Sequence, residues 1–296
     1  MSVEDDILGK GKMEYKPRYN NNTNWKDQQA KDRKEAYDTM EKMSFIVKGN
    51  SDKFKQYLDI QSRFQRHSVG NCFLIQAREP NATQFKDKKS WTELGIELNS
   101  NPKSFQILEP NKSQSSGRVY WNPKTVYDIS QTKAEQQNNV REYGTKELLT
   151  AFIHNCFAQV KAVDKLPDGT ISAKYDKADN VLYVCRGMER ELLFQSLSQE
   201  LASIEMRQES ESEYKEFKGY CISYMICKRY GIDVSNYDFD ILPEEIRTLS
   251  TGKDIRAELD TIRMDYEKIN DRIAEQFEKS AKEQNKAKKK EKVQER

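Results

Sequence analysis

Phe194-Gln-Ser-Leu-Ser-Gln-Glu-Leu-Ala-Ser-Ile-Glu205 is the stretch on which the fold turns. Leu193, Leu197 and Leu201 recur every four residues, and Ile204 follows three later, so one face is apolar and core-facing. The spacing predicts an amphipathic helix. Its polar face carries Gln199-Glu200-Leu201-Ala202-Ser203, a pentad that is unremarkable as helix sequence until its flanks are considered. Ahead of it, Ile171 to Tyr175 and Val181 to Cys185 read as two short strands after a hairpin-type turn at Pro167-Asp-Gly-Thr170. Thr145 to Val160 reads as one amphipathic helix through Leu148, Leu149, Phe152, Ile153 and Phe157. Behind it, two or three helices are expected, at Tyr214 to Gly231, Pro243 to Thr248 and Asp254 to Phe277. The last carries Ile255, Leu259, Ile262, Met264, Ile269 and Ile273.

The chain of 296 residues has room for two modest domains with tails. A hydrophobic fraction of 36% is low for one large compact unit, so part of the chain is expected to be solvated. Lys and Arg number 50 against 48 Asp and Glu, a net charge of +2, so any polyanion partner must be met by local patches. The five cysteines, Cys72, Cys156, Cys185, Cys221 and Cys227, are odd in number and form no Cys-x-x-Cys pair. They read as buried free thiols of a reducing cytoplasm. No apolar run approaches the length of a membrane span, and the polar, acidic N-terminus does not read as a signal peptide.

In the first half, residues 1–30 are polar and expected to be disordered. Two helices fit Gln29 to Leu58, broken near Gly49-Asn50-Ser51, with Ser51 as N-cap of the second. Ser90-Trp-Thr-Glu-Leu-Gly95 reads as a short helix stopped by glycine. Ser104 to Pro110 and Arg118 to Tyr127 read as paired strands. Helices first and an antiparallel sheet after give an α+β fold class. The expected division is an α+β unit at 31–129, a polar linker at 130–144, a mostly helical unit with a small sheet at 145–278, and a basic disordered tail at 279–296.

Several stretches together resemble one family, the ArdC-like antirestriction proteins of conjugative plasmids and transposons. They are Arg66-His-Ser-Val-Gly-Asn-Cys-Phe-Leu-Ile75, Arg78-Glu-Pro-Asn-Ala-Thr83, Ser90 to Gly95, Phe105-Gln-Ile-Leu-Glu-Pro110 and Val126-Tyr-Asp-Ile-Ser-Gln-Thr132. In the second half they are Asn180-Val-Leu-Tyr-Val184, Gly187-Met188 and Tyr224-Met-Ile-Cys-Lys-Arg-Tyr-Gly-Ile-Asp233. The resemblance spans roughly residues 35–275. It implies a single-stranded-DNA-binding domain at 31–129 followed by a zincin-like metallopeptidase domain. In that frame His-Glu-x-x-His places two zinc ligands on one helix face with Glu as the base. Here Gln199 and Ser203 occupy the ligand positions and Glu200 the base position, so neither imidazole is present. Near the third-ligand position only Glu216 is acidic, with Lys218 and Tyr220 beside it. A Lys/Gly-rich basic turn usual in the family reads Leu98-Asn-Ser-Asn-Pro-Lys-Ser104, with a single Lys.

The resemblance therefore implies a non-enzymatic protein of a bacterial mobile element, cytoplasmic, with no metal and no cofactor. Its partners would be single-stranded DNA and proteins of conjugation or restriction–modification. The alternative from another class is an interaction scaffold using the pseudo-peptidase unit, and the last is a peptidase with a relocated metal site. Single-strand binders need cations along phosphates and aromatic faces for bases. The candidate contacts are Arg63, Arg66, Arg78, Lys86, Lys88, Lys89, Trp91 and Lys103, with Lys86 to Lys89 beside Trp91 as the leading loop. Arg118, Tyr120, Trp121 and Lys124 form a second cluster, and both tryptophans also read as core residues. At the vacated metal position, Lys218 is expected to pair with Glu200 or Glu216 in place of zinc's charge.

Overall fold

A computed structural model describes residues 21–112, 117–134, 142–166, 169 and 172–294. The turn expected at Pro167 to Thr170, the middle of the linker (135–141) and the first 20 residues therefore lie largely or wholly outside the described residues. The fold is α+β. In chain order the helices are α1 (Asn21–Gly49), α2 (Ser51–Arg63), α3 (Val69–Arg78), α4 (Lys88–Glu93), α5 (Thr145–Ile153), α6 (Arg190–Glu205), α7 (Glu213–Arg229), α8 (Glu244–Arg247) and α9 (Gly252–Gln294). The strands are β1 (Phe85–Lys86), β2 (Phe105–Lys112), β3 (Val119–Asp128), β4 (Gln159–Val163), β5 (Ala173–Asp176) and β6 (Val181–Cys185). They form two three-stranded sheets, ordered β1-β3-β2 and β4-β6-β5.

Local chemistry sets several helix starts. Asn50, extended at φ −146°, accepts from the Lys53 N–H and caps α2, so Ser51 is the first helical residue and not the cap expected. Ser68, Asp87 and Ser212 cap α3, α4 and α7 by accepting from Asn71, Ser90 and Lys215 N–H groups. Gly95 follows α4 at φ +74°, the left-handed geometry that ends the helix there. The segments expected to be disordered meet helix within the described residues: α1 begins at Asn21 and α9 runs to Gln294. Lys, Glu, Gln and Ala are strong helix formers and carry the pattern into the lysine-rich end.

The first sheet is an antiparallel ribbon of β2 and β3, with β1 added at its base. Leu108 faces Pro123 and Pro110 faces Trp121 in the register. Both prolines fall at pairs that exchange no ladder hydrogen bonds, so neither removes one. The outward backbone of Leu108 on edge strand β2 is taken by the Asn71 side chain. Asn71 Nδ2 donates to Leu108 O at 2.9 Å, and Leu108 N donates to Asn71 Oδ1 at 2.8 Å.

In the second sheet β4 runs parallel to β6 and β5 antiparallel to it. The expected helix through Val160 instead ends at Ile153. Asn155 turns at φ +48°, and the chain enters β4. Cys185 N donates to Ser172 O, which sets the alternation so that Tyr175 N–H points away from β6.

One hydrophobic cluster runs continuously from Met43 to Phe277 and includes α6, α7 and both sheets. α9 is its spine: Ile255, Leu259, Ile262, Tyr266, Ile269, Ile273 and Phe277 are buried at steps of three and four. Met264 falls off that stripe and is exposed. Four of the cysteines are buried and Cys156 is half-buried, and none of the five is in a disulfide. No helix among the described residues is long and apolar enough to cross a membrane.

Candidate functional site

α6 buries Leu193, Phe194, Leu197, Leu201 and Ile204 against α7, as its spacing requires. The opposite side turns Gln199, Glu200 and Ser203 into a cleft of about 580 Å³, lined also by Glu213, Glu216 and Tyr220. Glu200 Oε2 accepts the outward Tyr175 N–H of β5 at 2.6 Å. This carboxylate therefore completes the edge of a sheet. Burial raises its pKa above the ordinary carboxylate value, with the Tyr175 hydrogen bond and the Lys174 charge opposing.

The cleft does not suit zinc. Gln199 and Ser203 are poor ligands, and the Glu200 carboxylate is already engaged by β5. Among the described residues, no three of His, Cys, Asp and Glu gather where a metal ion would be held. His67 packs its ring against Phe64 and Phe85, at 5.9 and 5.0 Å, and His154 follows α5 as its C-cap. The expected pairing of Lys218 with Glu200 or Glu216 is not formed. Lys218 Nζ binds Glu209 at 2.5 Å and lies 5.7 Å from the Tyr214 ring, because α7 directs it toward the turn after α6.

Glu200 yields a signed prediction. A raised carboxyl pKa means the folded chain holds the proton more tightly than the unfolded chain does. The stabilisation is therefore full below the ordinary value of 4.5 and is lost as pH rises through the folded value. Glu200→Gln keeps an acceptor for Tyr175 N–H and removes the buried charge. Its urea midpoint at neutral pH should equal or exceed that of the wild type, and the advantage should shrink in acid. Glu200→Ala leaves the N–H without its acceptor and should cost about 1–3 kcal/mol. A Glu200→Gln chain as unstable as Glu200→Ala at neutral pH would contradict this role.

The nominated cations do not share one face. Arg63 is half-buried and donates to Pro80 O at 2.6 Å, and burial lowers its pKa. Arg66 bridges Glu267 and Asp271 of α9 at 3.3 and 3.0 Å, and Arg78 meets Glu35 of α1 at 2.8 Å. The Lys103 N–H donates to Gln131 Oε1, which fixes its loop to the turn after β3. Lys86, Lys88, Lys89 and Trp91 are grouped around α4, with Lys89 3.7 Å from Glu93. Trp91 itself is only 1% exposed and donates Nε1–H to Tyr127 O at 2.9 Å. Both faces of that indole are covered, so Trp91 offers no stacking surface in this structure. Lys86 Nζ lies 6.0 Å from its ring centre.

The second cluster is placed differently. Tyr120 and Trp121 are 47% and 41% exposed near the outer end of β3. Lys124, in the same strand, is held between Asp87 and Glu109 at 2.9 and 3.0 Å. Those hydrogen bonds raise its pKa, while Asp87, bonded to the Ser90 N–H and to Lys124, is lowered to about 2. Arg33 of α1 donates to Asn122 Oδ1 at 2.6 Å and ties the ribbon to α1. Aromatic exposure at the end of a ribbon is the signal that separates this cluster from Trp91. In sequence, Trp91 and Trp121 have similar basic surroundings.

No family model matches the chain, and no curated protein does. Among solved structures, the chain is similar to the antirestriction ArdC protein from the R388 plasmid. To the metal-free crystal structure the identity is 13% and the TM-score 0.41; to the Mn(II)-bound one they are 15% and 0.45. Each match covers 71% of this chain and 83% of the other. These are structures of the family that the sequence motifs resemble.

Proposed function

We propose that the protein binds single-stranded DNA without hydrolysing a substrate, in an antirestriction or conjugative-transfer role on a bacterial mobile element. Residues 31–129 carry the DNA contacts in this reading. The observation that supports it best is the exposed pair Tyr120 and Trp121 on a ribbon tied to α1 by Arg33. Exposed aromatic faces grip bases, and nearby cations meet phosphates. The non-enzymatic part rests on Gln199 and Ser203 at the ligand positions and on the engagement of Glu200 by β5.

A titration of labelled single-stranded oligonucleotide at several salt concentrations tests the reading. Binding should weaken steeply with salt, with a slope of about −0.7 per phosphate contacted. Micromolar protein without a signal change refutes it. Lys88 and Lys89 are exposed at the start of α4. Changing both to Glu should weaken binding by more than about tenfold if α4 lies along the strand, since each lost phosphate contact forfeits counterion release. An unchanged affinity would move the path of the strand away from α4.

A further inference from the structure

A second cleft, of about 320 Å³, opens where α1, the start of α3, the β2–β3 ribbon and the start of α9 meet. Its walls include Tyr37 of α1, 44% exposed, and Trp121 of β3, 41% exposed. Its floor includes Met40 and Leu108, which belong with Ala36 and Leu74 to a small hydrophobic cluster separate from the main core. The floor is tightly packed: a Cβ on Gly70 would come within 2.5 Å of Met40 Sδ. At the rim Arg256 binds Glu41 and the Ser44 hydroxyl, and Asp260 binds Arg263. These charges are internally compensated. Lys253 is exposed, and its ammonium forms no ion pair or hydrogen bond with any described residue.

Two partly exposed aromatic walls, an apolar floor and one uncompensated cation at the rim describe a receptor for a flat, apolar-faced group bearing a nearby negative charge. A volume near the lower end of the range for small-molecule sites, about 300–1,000 Å³, suits one such group and not a folded segment. We propose that this cleft takes a single unstacked base of single-stranded DNA between Tyr37 and Trp121, with Lys253 meeting the adjoining phosphate. The proposal rests on the DNA-binding reading above, locates it, and adds to residues 31–129 one contact from α9, Lys253. Asn71, the lining amide best suited to reading a base edge, is engaged by Leu108 through both its oxygen and its nitrogen. The cleft therefore holds a base by its faces and discriminates weakly between bases.

The test uses the full chain with a fluorescein-labelled oligothymidylate and with the same backbone made abasic throughout. The variants are Tyr37→Leu, Trp121→Leu, the double variant, and Ala257→Phe, which fills the cleft from its exposed α9 wall without removing an aromatic residue. Each single aromatic variant should weaken oligothymidylate binding by about 5- to 150-fold, the value of one stacked base. The double variant should lose little more than either single one, because both side chains hold the same base. Ala257→Phe should match the double variant, with an unchanged circular dichroism spectrum. All four should bind the abasic strand as the wild type does. Additive losses, an inert Ala257→Phe, or equal losses on the abasic strand overturn the shared slot while wild-type binding still upholds the DNA reading. No binding of oligothymidylate by micromolar wild-type protein overturns both.

Discussion

Trp91→Ala is expected to destabilise the fold by about 3–5 kcal/mol, the range for truncating a buried large aromatic residue. The indole is 1% exposed and anchors α4 to β3 by donating Nε1–H to Tyr127 O at 2.9 Å. Truncation removes the packing, opens a cavity and leaves the Tyr127 carbonyl without that donor. Urea denaturation monitored by circular dichroism measures the loss. Trp91→Phe should recover much of it, because the ring volume returns and only the hydrogen bond is missing. Under the proposed DNA-binding function, the affinity of the folded fraction for single-stranded DNA should stay near wild type, the opposite of the pattern expected for Trp121→Leu. A Trp91→Ala chain of normal stability that had lost DNA binding would make Trp91 a contact residue after all.

Asn71→Ala should cost about 2–6 kcal/mol, since two backbone groups of Leu108, one donor and one acceptor, lose their partners at a buried site and each costs about 1–3 kcal/mol. Asn71→Asp sharpens the case. It keeps the size and an acceptor for Leu108 N–H, but sets a carboxylate oxygen against Leu108 O in a position that is 5% exposed. It should be at least as damaging as Asn71→Ala at neutral pH and should recover in acid, where the carboxyl can donate. Equilibrium unfolding at two pH values measures both. An Asn71→Ala chain within about 0.5 kcal/mol of wild type, the usual range of surface changes, would show that Leu108 is satisfied in another way.

Elements governed by local chemistry were legible in the sequence. α6 follows from its leucine spacing, the β2–β3 ribbon from alternation, and the end of α4 from Gly95. β4 was not legible. Phe157 continues the apolar period of α5, and the break depends on Asn155 adopting a left-handed conformation that asparagine only sometimes takes. The parallel pairing of β4 with β6 joins segments about twenty residues apart and leaves no local pattern. Met264 misled for the opposite reason, because an apolar residue on a long helix need not lie on its buried stripe. At the site, the absence of ligand imidazoles was plain from Gln199 and Ser203. That Glu200 serves a strand edge was not, because it depends on how β5 is laid over α6. Trp91 and Trp121 have similar sequence contexts, and only tertiary placement shows which is covered.

One outer strand of each sheet, β2 and β5, is guarded in the same way, and this bears on how the protein behaves when crowded. A bare strand edge is a template on which a second chain can add a strand and begin an aggregate. On β2, Asn71 occupies Leu108, and Pro110 has no N–H to offer. On β5, Glu200 occupies the Tyr175 N–H and sets a carboxylate beside the edge. A helix side chain thus occupies a docking point on each sheet before a neighbour can reach it. Glu200 would then owe its place to solubility. Removing either guard should promote concentration-dependent self-association of chains that are still folded.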